Sequence, residues 1–121
     1  MSQIIATTLS NGSVSVPTAT VVNGSAKAWV NFDGTGTIAA RDSFNVASLT
    51  DNATGDYRVN FSTALPDGDY ATAGSCRTPG VVSGTAVQFD VYNTTDLRFY
   101  TRNLINGSEV DFSIITAAIF R

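Results

Sequence analysis

Three parts of this sequence carry side chains that could do chemistry. The first is the run Asp51-Asn52-Ala53-Thr54-Gly55-Asp56, with oxygen donors at the close spacing that hard cations such as calcium favour. No full EF-hand loop surrounds it and no bidentate Glu follows, and turn formation accounts for the same composition. The second is a set of carboxylate pairs, Asp67 with Asp69 and Glu109 with Asp111. Glycoside hydrolysis needs two carboxyls at a defined separation across a sugar. Carboxylates two residues apart on a strand serve equally well as solvated edge charges. The chain has no histidine, which removes the commonest general base, the commonest zinc ligand and every Ser-His-Asp triad. Cys76 is the only cysteine, so an intrachain disulfide is impossible and a structural zinc site lacks ligands. The expectation is a protein with no catalytic residue, no cofactor and no metal.

The third part is aromatic and basic. Trp29, Tyr92, Arg98, Tyr100 and Arg102 all fall on the outward faces of alternating segments. Aromatic rings stack on sugars, and Arg binds acidic groups or stacks. The same residue types are enriched at protein interfaces, which is the preferred reading, with glycan contact second. Ile115 and Ile119 join these candidates. From Ile114 onward both faces of the last strand are apolar, as in a strand central to its sheet or one that forms half of a subunit interface.

The elements that must position these residues are strands. Asn-Gly at Asn11, Asn23 and Asn106 and Asp-Gly at Asp33 and Asp67 mark tight turns. Between them apolar and polar residues alternate: Ala28, Val30 and Phe32; Tyr57, Val59 and Phe61; Val87, Phe89 and Val91; Leu97 and Phe99. No segment shows a helical stripe, and 43–49, which could hold one turn, favours extended structure. Roughly eight to ten strands at this spacing predict an all-β chain, an antiparallel β-sandwich or jelly roll. Residues 1–25 are rich in Ser, Thr, Val and Gly with few charges. They read as an N-terminal arm or first hairpin, suited to attachment or to adding a strand to a neighbouring subunit. Residues 26–121 read as the sandwich domain.

Apolar residues make up 43% of the chain and charged residues 14%. So few charges mean either a surface covered by partners or a Ser/Thr/Asn coat. The net charge of −3, with one Lys, six Arg and no basic run, gives no footprint for nucleic acid. No apolar stretch approaches the ~20 residues that span a bilayer, so no membrane insertion is expected. Met1-Ser2-Gln3-Ile4-Ile5 lacks the form of a signal peptide, which predicts synthesis in a cytoplasm without export. The six Asn-x-Ser/Thr sequons then follow from the abundance of these residues.

The segment Ala26-Lys27-Ala28-Trp29-Val30-Asn31-Phe32-Asp33-Gly34-Thr35-Gly36 resembles one that recurs in phage tail-fibre and related virion proteins. Its continuations Ile38–Val46, Leu49–Asn52, Thr54–Phe61 and Leu65–Tyr70 resemble the same family. The wording is specific, but it marks a scaffold rather than a chemistry and brings no catalytic residues. The resemblance implies a β-rich homotrimer on the virion surface, a non-enzymatic, tail-fibre-like appendage with a role in host contact. Its partners would be itself, other virion proteins of the tail or capsid, and a host surface glycan. The chain lacks a long shaft and a separate tail-attachment domain, so the alternative is a capsid decoration or cement protein clamping neighbouring subunits. A second alternative is a carbohydrate-binding module acting alone. On this reading Trp29 contributes to association, and removing Ile114–Arg121 prevents assembly.

Overall fold

A computed structural model describes residues 1–80 and 84–121. The described residues are all-β apart from one short helix. Its elements are β1 (Thr8–Ser10), β2 (Ser15–Pro17), α1 (Thr18–Gly24), β3 (Ala26–Asp33), β4 (Ala39–Phe44), β5 (Val46–Ala53) and β6 (Asp56–Phe61). Then follow β7 (Ala71–Arg77), β8 (Thr85–Tyr92), β9 (Asp96–Asn103) and β10 (Ile114–Phe120). β1 and β2 form a small hairpin. The other eight strands form two antiparallel sheets, ordered β4-β3-β10-β7 and β5-β6-β9-β8, packed as a sandwich.

The alternation read from the sequence decides what lies between the sheets. Ala28, Val30, Phe32, Ile115, Ala117 and Ile119 face inward from the first sheet, and Tyr57, Val59, Leu97, Phe99 and Thr101 from the second. Phe32 meets Tyr57 edge to face at 5.2 Å, and Phe99 lies within 6.2 Å of both rings. β10 is the central strand of its sheet, paired to β3 on one side and β7 on the other. Both of its faces are apolar because one lines the core and the other lies across the middle of the sheet. Ile115 and Ile119, expected as interface or ligand candidates, are instead fully buried. Removing Ile114–Arg121 would therefore remove the centre of a sheet, not only a contact between subunits.

β4 and β5 are nearly one strand that turns from the first sheet into the second at Asn45. This residue has φ 55°, a left-handed conformation that Asn tolerates better than most. Its side chain closes the corner. The amide Nδ2 donates to the carbonyls of Lys27 and Thr63, and Oδ1 accepts from Thr63 N–H at 2.7 Å.

One expectation needs correction and another refinement. The sequence showed no helical stripe, yet α1 forms. It buries no residue, so no stripe is needed. Pro17, φ −57°, stands just before it and presets the backbone. Lys27 Nζ donates to the carbonyls of Val22 and Ser25 at its other end, where a cation is favourable. Tyr92 was expected to point outward with Gln88 and Asp90. Tyr92 is exposed with them, at 37%, but a register shift between Phe89 and Val91 sets it opposite the buried Leu97. Its ring leans along the edge of the sandwich, 5.1 Å from Tyr70, and its hydroxyl meets that of Thr72 at 3.0 Å.

Candidate functional site

Of the outward candidates, Arg98, Tyr100 and Arg102 come together on β9, on the open face of the second sheet. Their guanidiniums flank the Tyr100 ring at 5.2 and 5.7 Å from its centre. Both arginines are already held. Arg98 Nε and Nη2 donate to the two oxygens of Asp56 at 2.9 and 2.6 Å, a two-pronged pair with a carboxylate whose side chain is only 8% exposed. The Arg98 hydrogen bonds outweigh burial and hold the Asp56 carboxyl below its ordinary range, while Asp56 raises Arg98 further. Arg102 reaches Glu109 at 3.2 Å. In register, Arg58 stands opposite Arg98 and Asn60 opposite Asp96, and Arg58 pairs diagonally with Asp96. Cross-strand pairs of opposite charge thus tie β6 to β9 and keep two like charges apart. The face is a lattice that largely binds itself, although Arg102 Nε is buried there without a hydrogen-bond partner among the described residues.

The acidic residues at the end of the sandwich reached by the end of β3 are also engaged. Asp111 Oδ1 accepts the Tyr57 hydroxyl at 2.5 Å and the Gly55 N–H at 2.7 Å. Asp33 accepts from Thr35 N–H and Oγ1 at 2.9 and 2.6 Å, and these bonds lower its pKa. At the opposite end, beside the start of β3, Asp67 accepts Nε and Nη2 of Arg121 on its two oxygens at 2.7 Å, which lowers its carboxyl likewise. The loop read as a weak cation candidate turns its last residue, Asp56, toward Arg98. Among the described residues, no three Asp, Glu or Cys side chains converge as metal ligands would.

Trp29 sits on the other sheet, far from the arginines in the fold. On the outer face of β3 it stands opposite Phe44 of β4 and Ala118 of β10. Small residues border it on one side, leaving a shallow hollow of 530 Å³ lined by Ala73, Gly74, Thr116 and Ala118. On the other side a mostly apolar groove of 580 Å³ runs past Phe44, Asn45, Leu65 and Pro66 to Arg121. Trp29 is half-buried and Phe44 is 55% exposed.

The most exposed apolar surface is the arm. Residues 1–25 contain no charged side chain and no buried residue. Ile4, Ile5, Val14 and Val22 are 94, 89, 70 and 62% exposed. β1 packs on β2 and α1 on β2, so the arm packs chiefly on itself. Thr18 fixes its base, through N–H to the Thr7 carbonyl and Oγ1 to that of Ala6. Few charges were visible in the sequence, but that so many aliphatic side chains stand without a partner needed the structure.

No family model, curated protein or solved structure matches the chain.

Proposed function

We propose that the chain is a non-enzymatic assembly module of a phage virion, a small tail-fibre-like surface appendage working as a homotrimer. One observation carries this reading: the first 25 residues are uncharged, expose several aliphatic side chains and bury nothing in their own chain. A freely solvated segment stays soluble through charge and low hydrophobicity, and this one has neither. Docking against another chain resolves the conflict. The resemblance of the stretch from Ala26 to Tyr70 to tail-fibre proteins supports the virion as the place. The β9 arginines give little support to glycan binding, because carboxylates hold both guanidiniums and these cover Tyr100.

The test is to locate the protein on the particle by electron microscopy of virions carrying a C-terminal label. Label on the tail or its fibres is the expected result. Density on the shell away from the tail would replace the appendage with a capsid decoration role. Absence from purified particles would remove the virion reading altogether.

A further inference from the structure

We infer that Met1–Ile5 of one copy adds to the free edge of β7 in a second copy, as a fifth strand of the first sheet. This rests on the reading of the arm as a docking element and names where it docks.

The two sheets have four outer strands, and three are guarded. β4 carries Arg41 and Asp42 and a register shift against β3. β5 carries Asp51 and two register shifts. β8 carries Asp90 and its own shift. Charges and bulges of this kind are the usual defence against unwanted strand pairing. β7 differs. Its one charge, Arg77, stands at its last position, and from Ala71 to Ser75 it reads Ala-Thr-Ala-Gly-Ser, with no charge, no proline and an unbroken register against β10.

The orientation of its backbone is also suitable. The Ser75 N–H turns toward β10, where Thr116 Oγ1 accepts it at 3.2 Å, whereas the Cys76 carbonyl accepts the Thr85 hydroxyl at 2.7 Å. In an antiparallel pair the residues alternate between facing their partner and facing away. The N–H and C=O of Gly74 and Thr72 therefore point to the open edge. Among the described residues, no backbone bond from outside the sheet reaches them.

The side chains fit the same partner. Beside this edge lies the hollow over Ala73, Gly74 and Ala118, walled by Trp29. Side chains of an added strand alternate, so one of Ile4 and Ile5 fills the hollow. The other faces the β8 side, where Phe89 underlies Gly74 and Tyr92 meets Thr72. Five donor residues match the five residues of the open edge, and neither segment carries a charged side chain. Met1, Ile4 and Ile5 are 123, 94 and 89% exposed, so the donor strand brings its apolar side chains unburied to the edge, where the backbone ladder gives affinity and the side chains give fit. Donor and acceptor are different surfaces, so the exchange is head to tail and a ring closes it.

The test uses the full chain with Cys76→Ser and one of two added pairs, Ile4→Cys with Ala73→Cys or Ile5→Cys with Ala73→Cys. Ala73 faces β10, so its outer flank is a non-hydrogen-bonded site, where opposed residues come close enough for a disulfide. After mild oxidation, one of the two pairs is expected to give disulfides between chains, seen as covalent multiples on a non-reducing gel. A disulfide closed within single chains, or none in either variant, would overturn the inference. As a second measurement, Ala73→Lys with Ser75→Lys is expected to shift the solution mass to a single chain that still melts cooperatively. An unchanged mass would overturn it. Deletion of residues 1–25 separates the two levels. If the assembly survives deletion, the arm reading itself fails; if it dissociates while the cysteines do not join, only the β7 acceptor fails.

Discussion

Replacing Tyr57 by Phe removes one oxygen from the middle of the fold. The ring stays packed against Phe32 and Phe99, so no cavity larger than a hydroxyl opens. What disappears is the hydroxyl that donates to Asp111 at 2.5 Å and more weakly to the Gly34 carbonyl at 3.2 Å. A bond to a charged acceptor contributes roughly 1.5–3 kcal/mol. Gly55 N–H still serves the same oxygen at 2.7 Å, so Asp111 is not stranded and about 2 kcal/mol is expected. The pH dependence has a definite sign. Burial, and then the hydrogen bond and charge of Asp111, push the Tyr57 phenol above its ordinary value of 10.0. A raised pKa in the folded state means stability that is complete below the unfolded value and lost as pH rises above it. The wild type should therefore lose about 1.4 kcal/mol per pH unit beyond about pH 10 that the variant does not lose. The gap of about 2 kcal/mol should close roughly one and a half units higher. Tyr70, pushed to about 12 by burial and by the charge of Asp96, is present in both proteins and cancels. Urea unfolding of both proteins across this pH range measures the gap directly. A gap below about 0.5 kcal/mol at neutral pH, or one that stays constant into alkali, would refute the structural role given to Asp111.

Arg98→Met should cost about 2–3 kcal/mol, because Asp56 stays buried with Asn52 as its remaining side-chain donor and Arg98 is itself partly exposed. Since Asp56 titrates below its ordinary 3.8 in the fold, the stability it lends is present above that value and lost as pH falls. The difference from wild type should narrow in acid denaturation, and a constant difference would count against the pair. Ile119→Ala should destabilise the fold by about 3 kcal/mol in thermal melts, as truncation of a fully buried side chain does. Dissociation of the assembly without any loss of melting temperature would return Ile119 to the interface. Trp29→Ala should change the stability of a single chain by less than about 1.5 kcal/mol, since the ring is half-buried, while weakening association measured by dilution. Loss of the cooperative melt with association intact would contradict this.

Strand existence was legible because one face of each strand is buried, and burial writes itself into a two-residue alternation. Ala28, Val30 and Phe32 are the plainest case, and all three lie in the core. Tyr92 was legible only in part: its exposure was, but a bulge is an extra backbone residue without a composition of its own, and the lean of the ring toward Tyr70 follows from it. Ile115 and Ile119 were misplaced because a central strand and an interface strand present the same two apolar faces; only the pairing with β3 and β7 distinguishes them. The arginines Arg98 and Arg102 were correctly placed outward. Their carboxylate partners lie on other segments, and cross-strand register cannot be read from one strand. α1 escaped notice because a helix that buries nothing leaves no apolar stripe.

The central claim is that the arm, not the sandwich, holds copies together. The direct measurement is sedimentation equilibrium of the full chain beside residues 26–121. Three times the single-chain mass of 12.7 kDa is expected for the full chain, and one folded copy that still melts cooperatively for the shortened one. Single copies in both, or the same assembly in both, would contradict it.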